Sequence, residues 1–120
     1  MKTVNKITLV GHLAADVNLM ATKKGKSRAV FPLATNRNVK DEKGEFKDHT
    51  DYHRIVFFGP LADISKQLLN KGSAVYVEGK LVNNSYKNKE GILSYRTEVW
   101  GDELNVLTYK KQEEAKDVLV

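Results

Sequence analysis

The sequence contains no cysteine, and that absence removes disulfides, thiolate metal sites and cysteine nucleophiles together. Long apolar runs are missing too. No stretch approaches the roughly 20 residues that span a bilayer, so no membrane protein is expected. Residues Met1 to Lys6 lead directly into a strand pattern without an apolar core, which predicts no secretory signal and a cytoplasmic location. The usual groupings of catalytic residues are also absent. His12, His49 and His53 lie in different contexts and form no metal spacing, and no Gly-x-Ser-x-Gly elbow, Walker loop or dinucleotide fingerprint occurs. The paired acids Asp41-Glu42 and Asp102-Glu103 sit in polar surroundings without a nearby base. The expectation is a protein that is not an enzyme, with no metal and no cofactor.

At 120 residues the chain has room for one core, with 41% hydrophobic and 29% charged residues in the range of ordinary globular domains. The pattern assigns 1–109 to one domain and 110–120 to a short charged, flexible tail. A net charge of +5 favours a polyanionic partner. Local density says more: Lys23-Lys24-Gly25-Lys26-Ser27-Arg28 holds four cations and no anion, whereas Arg37 to Thr50 carries four of each sign and reads as a solvated loop.

The stretch Asp51 to Gly59 alternates as a strand. Its Ile55 and Phe57 face, shared with His53, can close a core, while Tyr52, Arg54, Val56 and Phe58 set two rings and a guanidinium on the other. Unpaired bases stack on flat rings and their phosphates need cations, so that second face suits single-stranded nucleic acid. Ordinary barrel packing explains the same residues. Around it, Val4 to Leu13 places Ile7, Leu9 and Leu13 on one face, with Gly11 suggesting a bulge or tight bend. Ser27 to Asn36 places Ala29, Phe31 and Leu33 together, and Pro32 demands an edge or bulge.

Lys43-Gly44 marks the tip of a polar hairpin loop. After Gly59-Pro60 the apolar period becomes helical at Leu61, Ile64, Leu68 and Leu69, with Pro60 in the first turn and Gly72 suited to the position after the last. Ser73 to Val82 is a further strand (Val75, Val77 and Leu81 on one face), Asn83 to Gly91 a polar loop holding Tyr86, and Ile92 to Trp100 the last strand, with Leu104 to Tyr109 as an added edge. Three strands, a helix and two strands is the element order of an all-β, five-stranded OB-fold Greek-key barrel with one short helix between strands 3 and 4.

The segments Val4 to Gly11, Leu33 to Asn36, Tyr52 to Gly59, Lys71 to Leu81 and Tyr95 to Val99 together resemble the bacterial-type single-stranded DNA-binding protein family, over residues 4 to about 107. The resemblance implies a homotetramer that wraps single-stranded DNA without sequence preference during replication, repair and recombination, at the nucleoid or replication forks. It implies base stacking by Tyr52, Phe58 and Tyr86. Phosphate contacts are expected at Arg54, Lys87, Lys6, Arg37, Lys40 and Lys80. The family's aromatic after Leu33-Ala34-Thr35-Asn36 falls on Val39, so one stack is missing. Its basic run before the Tyr86 position is replaced by Val82-Asn83-Asn84-Ser85. Trp100 stands where the family has an aliphatic residue and reads as packing. The acidic recruitment tip typical of the family is absent at Lys116 to Val120. The alternatives are an OB-fold primosomal accessory or adaptor with weak single-strand binding and, behind it, an OB-fold nuclease.

Overall fold

The structure is a computed structural model that describes residues 1–108. Tyr109 and the charged stretch 110–120 lie outside the described residues. The elements run β1 (Ile7–Leu13), β2 (Asn18–Ala21), β3 (Ser27–Lys40), β4 (Phe46–Phe58), α1 (Pro60–Leu68), β5 (Ala74–Lys87) and β6 (Leu93–Val106). In the sheet order β1-β5-β6-β4-β3-β2, the extra pairing of β1 with β3 closes a five-stranded barrel, with β2 outside the closure. The all-β OB architecture matches the sequence pattern. The short β2, not anticipated, moves the helix to a position between β4 and β5.

Alternation decides the core. Ala29, Phe31 and Leu33 of β3, Ile55 and Phe57 of β4, Val75 and Val77 of β5 and Val99 of β6 all point inward and are buried, with Ile7 and Leu9 packed against them. Phe31 and Phe57 meet at 5.7 Å between ring centroids. Closure needs backbones closer than side chains allow, and glycine supplies that room. A Cβ on Gly11 would collide with the Ala34 carbonyl where β1 swings from β5 towards β3, so Gly11 marks a close approach rather than a bulge. The bulge lies instead at Glu78/Gly79, and beyond it β6 continues along β5 to pair Val106 with Val75. Leu104 to Val106 is therefore the end of β6 and not a separate edge.

Pro32 does sit at a local edge. It faces Arg54 of β4 in register, but on its other side β2 has ended at Val30 and β1 begins only at Leu33. Its carbonyl points into that gap and accepts from Ala14 N at 2.9 Å. A strand residue's N–H and C=O point the same way, so the proline removes no bond from the β3–β4 ladder.

Both predicted polar loops prove to be paired strands. β3 and β4 run as a ribbon out to Lys40↔Phe46, and β5 and β6 out to Lys87↔Leu93. Their turns share one chemistry. Asp41 Oδ1 accepts from the N–H groups of Lys43 and Glu45 at 2.9 and 2.8 Å, and Asn88 Oδ1 accepts from those of Glu90 and Ile92 at 2.9 and 3.0 Å. Thr22 Oγ1 plays the same part for Lys26 N at 3.2 Å in the β2–β3 turn. In each, the glycine three residues later (Gly25, Gly44, Gly91) takes a positive φ near 80° that other residues resist.

Pro60 occupies the first turn of α1 as expected, but the helix ends at Leu68 and Leu69 is already extended. Gly72 belongs to the following turn, where its N–H donates to Leu13 O at 2.8 Å. Ala62, Ser65 and Leu69 are the helix-region residues sealed against the barrel, while Ile64 is exposed because the helix contacts the sheet along a narrower stripe than its apolar spacing suggests.

Gly101 lies on β6 directly over the Phe57 ring, which an added Cβ would overlap. Gly101→Ala is expected to destabilise the barrel by about 1–3 kcal/mol, as overpacking of a filled core does. Thermal unfolding followed by circular dichroism checks this; an unchanged midpoint would contradict the packing described.

Candidate nucleic-acid interface

The outward side chains of β4 are Tyr52, Arg54, Val56 and Phe58, and the ladders set definite neighbours beside them. β3 contributes Arg28 opposite Phe58, Val30 opposite Val56, Pro32 opposite Arg54 and Ala34 opposite Tyr52. On the other side the short parallel pairing of β4 with β6 places Trp100 beside Val56, and β5 then adds Lys80 opposite Trp100, Asn84 opposite Arg96 and Tyr86 opposite Ser94. Pleating puts these residues on one side of the sheet. That face carries four rings interleaved with four cations: Tyr52, Phe58, Trp100 and Tyr86 with Arg54, Arg28, Lys80 and Arg96.

Tyr52 is 67% exposed, presenting most of its ring to solvent. Phe58 is half-buried and meets Trp100 edge-on at 5.1 Å. Lys80 Nζ stands 6.0 Å from the Trp100 ring, and the Arg96 guanidinium lies 4.5 Å from the ring of Tyr86. Tyr86 is on strand β5, not in a loop, so its position is set by the ladder. Beside Tyr52 and Arg54 a cleft of about 420 Å3 opens over Val30, Phe31 and Pro32, with Asp16 and Asn18 on its far wall.

At the centre of this face lies an acid, Glu98, only 3% exposed. Its Oε2 accepts from Arg54 Nε at 2.7 Å, and its Oε1 accepts from Asn84 Nδ2 at 2.7 Å and from Trp100 Nε1 at 3.1 Å. Arg28 completes the set, 3.8 Å from Oε2. Burial alone would raise the Glu98 pKa, but the Trp100 N–H and the Arg54 guanidinium, with Arg28 behind them, outweigh it and hold the carboxyl below the ordinary glutamate range.

The other expected phosphate contacts scatter. Lys6 lies ahead of β1 and pairs with Glu78 at 3.0 Å, which raises its pKa. Arg37 pairs with Asp51 at 2.8 Å and depresses that carboxyl, on the opposite side of the β3–β4 ribbon from Tyr52. Lys40 stands 6.0 Å from the ring of Phe46 near the ribbon's tip. Lys80 belongs to the face described, whereas Lys87 is exposed on the opposite side of its strand from Tyr86. Val39, at the position of the missing aromatic, is also on the far side of its ribbon from Tyr52. Phe46, 69% exposed, supplies a ring nearby. Arg28, Arg96, Phe46 and Glu98 are not among the residues expected from the sequence, and Trp100, expected as packing, does meet Phe58 edge-on but also lies on this face. Alternation within Ile92 to Trp100 already sets Arg96, Glu98 and Trp100 on one side. Only the β4–β6 pairing brings that side next to Arg54.

The sequence profile described as the Single-strand binding protein family matches residues 4–107. The chain belongs to that family. It is 42% identical over 108 residues to a protein of Chlorobaculum tepidum named single-stranded DNA-binding protein 1, covering 89% of this chain and 67% of the relative. The single-stranded DNA-binding protein 1 of Xylella fastidiosa is 38% identical over 117 residues, covering 97% and 85% respectively. For the single-stranded DNA-binding protein of Xanthomonas campestris the matched region spans only 60% of the relative's length. Among solved structures, a Plasmodium falciparum SSB complex with ssDNA superposes with a TM-score of 0.81 at 32% identity, covering 90% of this chain and 98% of that one.

Because the folded pKa of Glu98 is depressed, its contribution to stability is complete above the unfolded value and is lost as the pH falls through the folded one. Unfolding midpoints measured from pH 7 down to pH 3 should fall once the pH drops below about 4.3. The decline should be shallower in Glu98→Gln. Parallel curves for the two proteins would remove Glu98 from the account of acid sensitivity.

Proposed function

We propose that this protein binds single-stranded DNA without base-sequence preference, stacking bases on Tyr52, Phe58 and Tyr86 and pairing phosphates with the cations between them. The observation that carries this reading is the outward face of the β3–β4–β6–β5 sheet, where rings and cations alternate over a single continuous surface. A duplex hides the π-faces of its bases, whereas a single strand offers every base to a ring regardless of sequence. The names of the family relatives and the ssDNA complex of the Plasmodium falciparum neighbour support the same partner. In a cell the protein would cover single strands during replication, repair and recombination, in the cytoplasm at the nucleoid.

The same proposal includes a homotetramer. Among the described residues, Ile7 to Gly11 of β1 hydrogen-bond to β5 on one side only, since β3 pairs with β1 just at His12 and Leu13. Val10 on that strand and Val4 just ahead of it are exposed. An unpaired strand edge with apolar side chains is a ready surface for a second copy. Light scattering at micromolar concentration should report a mass near four times 13.5 kDa; a 13.5 kDa particle would end the tetramer proposal.

The binding test separates stacking from charge. Tyr52→Ala and Phe58→Ala should each weaken poly-dT binding by about 1–3 kcal/mol per base stacked, with little change in salt dependence. Lys80→Gln should instead reduce the slope of log affinity against log salt by roughly 0.7 for one phosphate contact. Arg54 is unsuited to this comparison because its removal also takes from the buried Glu98 its nearest cation. Equal affinity for a hairpin duplex and for poly-dT of the same length would refute the reading. So would poly-dT affinity unchanged in both ring variants.

A further inference from the structure

Glu98 is the anomaly of the face: a carboxylate at the middle of a surface whose partner is a polyanion. On charge alone it opposes binding. We infer that Glu98 is the positioning residue of the single-strand face, fixing Arg54, Asn84 and Trp100 in the arrangement that receives the strand; the inference rests on the function proposed above. The geometry carries it. One carboxylate on β6 accepts from donors on three strands, Arg54 of β4, Asn84 of β5 and Trp100 of β6, with Arg28 of β3 close by. Each bond restrains something a base or phosphate would meet. The bond to Arg54 Nε sets the plane of its guanidinium and leaves the terminal nitrogens on a side chain that is 35% exposed. The bond to the Trp100 indole N–H fixes the ring that stands edge-on to Phe58.

Long side chains lose rotamer freedom when they seize a ligand, and ordering them beforehand moves that cost from binding to folding. Glu98 thus trades one unit of favourable charge for a preordered surface. Glutamine cannot replace it. Donors approach both carboxyl oxygens, and an amide offers one acceptor and one donor, so either orientation sets an N–H against another N–H.

The two effects of Glu98→Gln have opposite signs. Added positive charge alone would tighten poly-dT binding and steepen its salt dependence, as Glu42→Gln in the exposed β3–β4 turn should do slightly. Loss of positioning should weaken binding roughly tenfold or more, the scale of a charged hydrogen bond, without steepening the slope. It should also reduce the quenching of Trp100 fluorescence by poly-dT. The titrations are run at a temperature where circular dichroism reports each variant folded. A second measurement needs no substitution at 98: in the wild-type complex with poly-dT, the Arg54 Nε–H and Trp100 Nε1–H protons should stay protected from solvent exchange. Glu98→Gln binding as tightly as wild type or tighter would overturn the inference, as would loss of that protection on binding. If wild type itself fails to prefer poly-dT to duplex, the proposed function falls instead.

Discussion

Closure of the barrel is the constraint from which the rest follows. β1 must pair with β5 along most of its length and with β3 at its end, and β4 must meet β6 in a parallel contact of just two residue pairs, Ile55↔Val99 and Val56↔Trp100. With the sheet closed, one side of every strand is committed to the interior. Ile55, Phe57 and Val99 go in, which leaves Arg54, Phe58, Glu98 and Trp100 no choice but to meet outside. The face proposed for binding is thus the complement of the core, generated by the same alternation. Gly11 and Gly101 serve this closure by letting backbone or ring approach where a Cβ would intrude.

The electrostatics of that face are less generous than net charge suggests. Arg54 and Arg28 share one carboxylate, Arg37 is tied to Asp51 and Lys6 to Glu78. Exposed pairs such as the last two contribute little to stability, because water screens them. The first cluster differs in kind, because Glu98 is buried and holds its charge only with the donors gathered around it. The cations that stand over a ring and have no carboxylate within bonding distance, among the described residues, are Lys80, Arg96 and, near the tip of the β3–β4 ribbon, Lys40.

The two ribbons extend the same logic beyond the barrel. β3–β4 and β5–β6 continue outward as two-stranded arms closed by turns in which Asp41 or Asn88 caps the backbone and a glycine takes positive φ. Isolated hairpins are marginal in water. These are anchored in the closed sheet at one end, which allows polar sequence to stay in register where periodicity predicts only a loop.

What the sequence determined by itself was whatever depends on local periodicity. The inward faces of β1, β3, β4 and β5, the helix start at Pro60 and the pairing of Tyr52 with Arg54 on one side of a strand could all be read from spacing. So could the hairpin tip at Lys43-Gly44. Tertiary structure alone decided what lies beside what. Glu98 and Arg54 are 44 positions apart, and no local pattern distinguishes a solvated strand glutamate from one that gathers three donors. The polar arms became strands because their partners were already held in register, and Tyr86 left its loop for the same reason. Alternation tells a residue which way to point; only the order of the strands in the closed sheet tells it what it will find there.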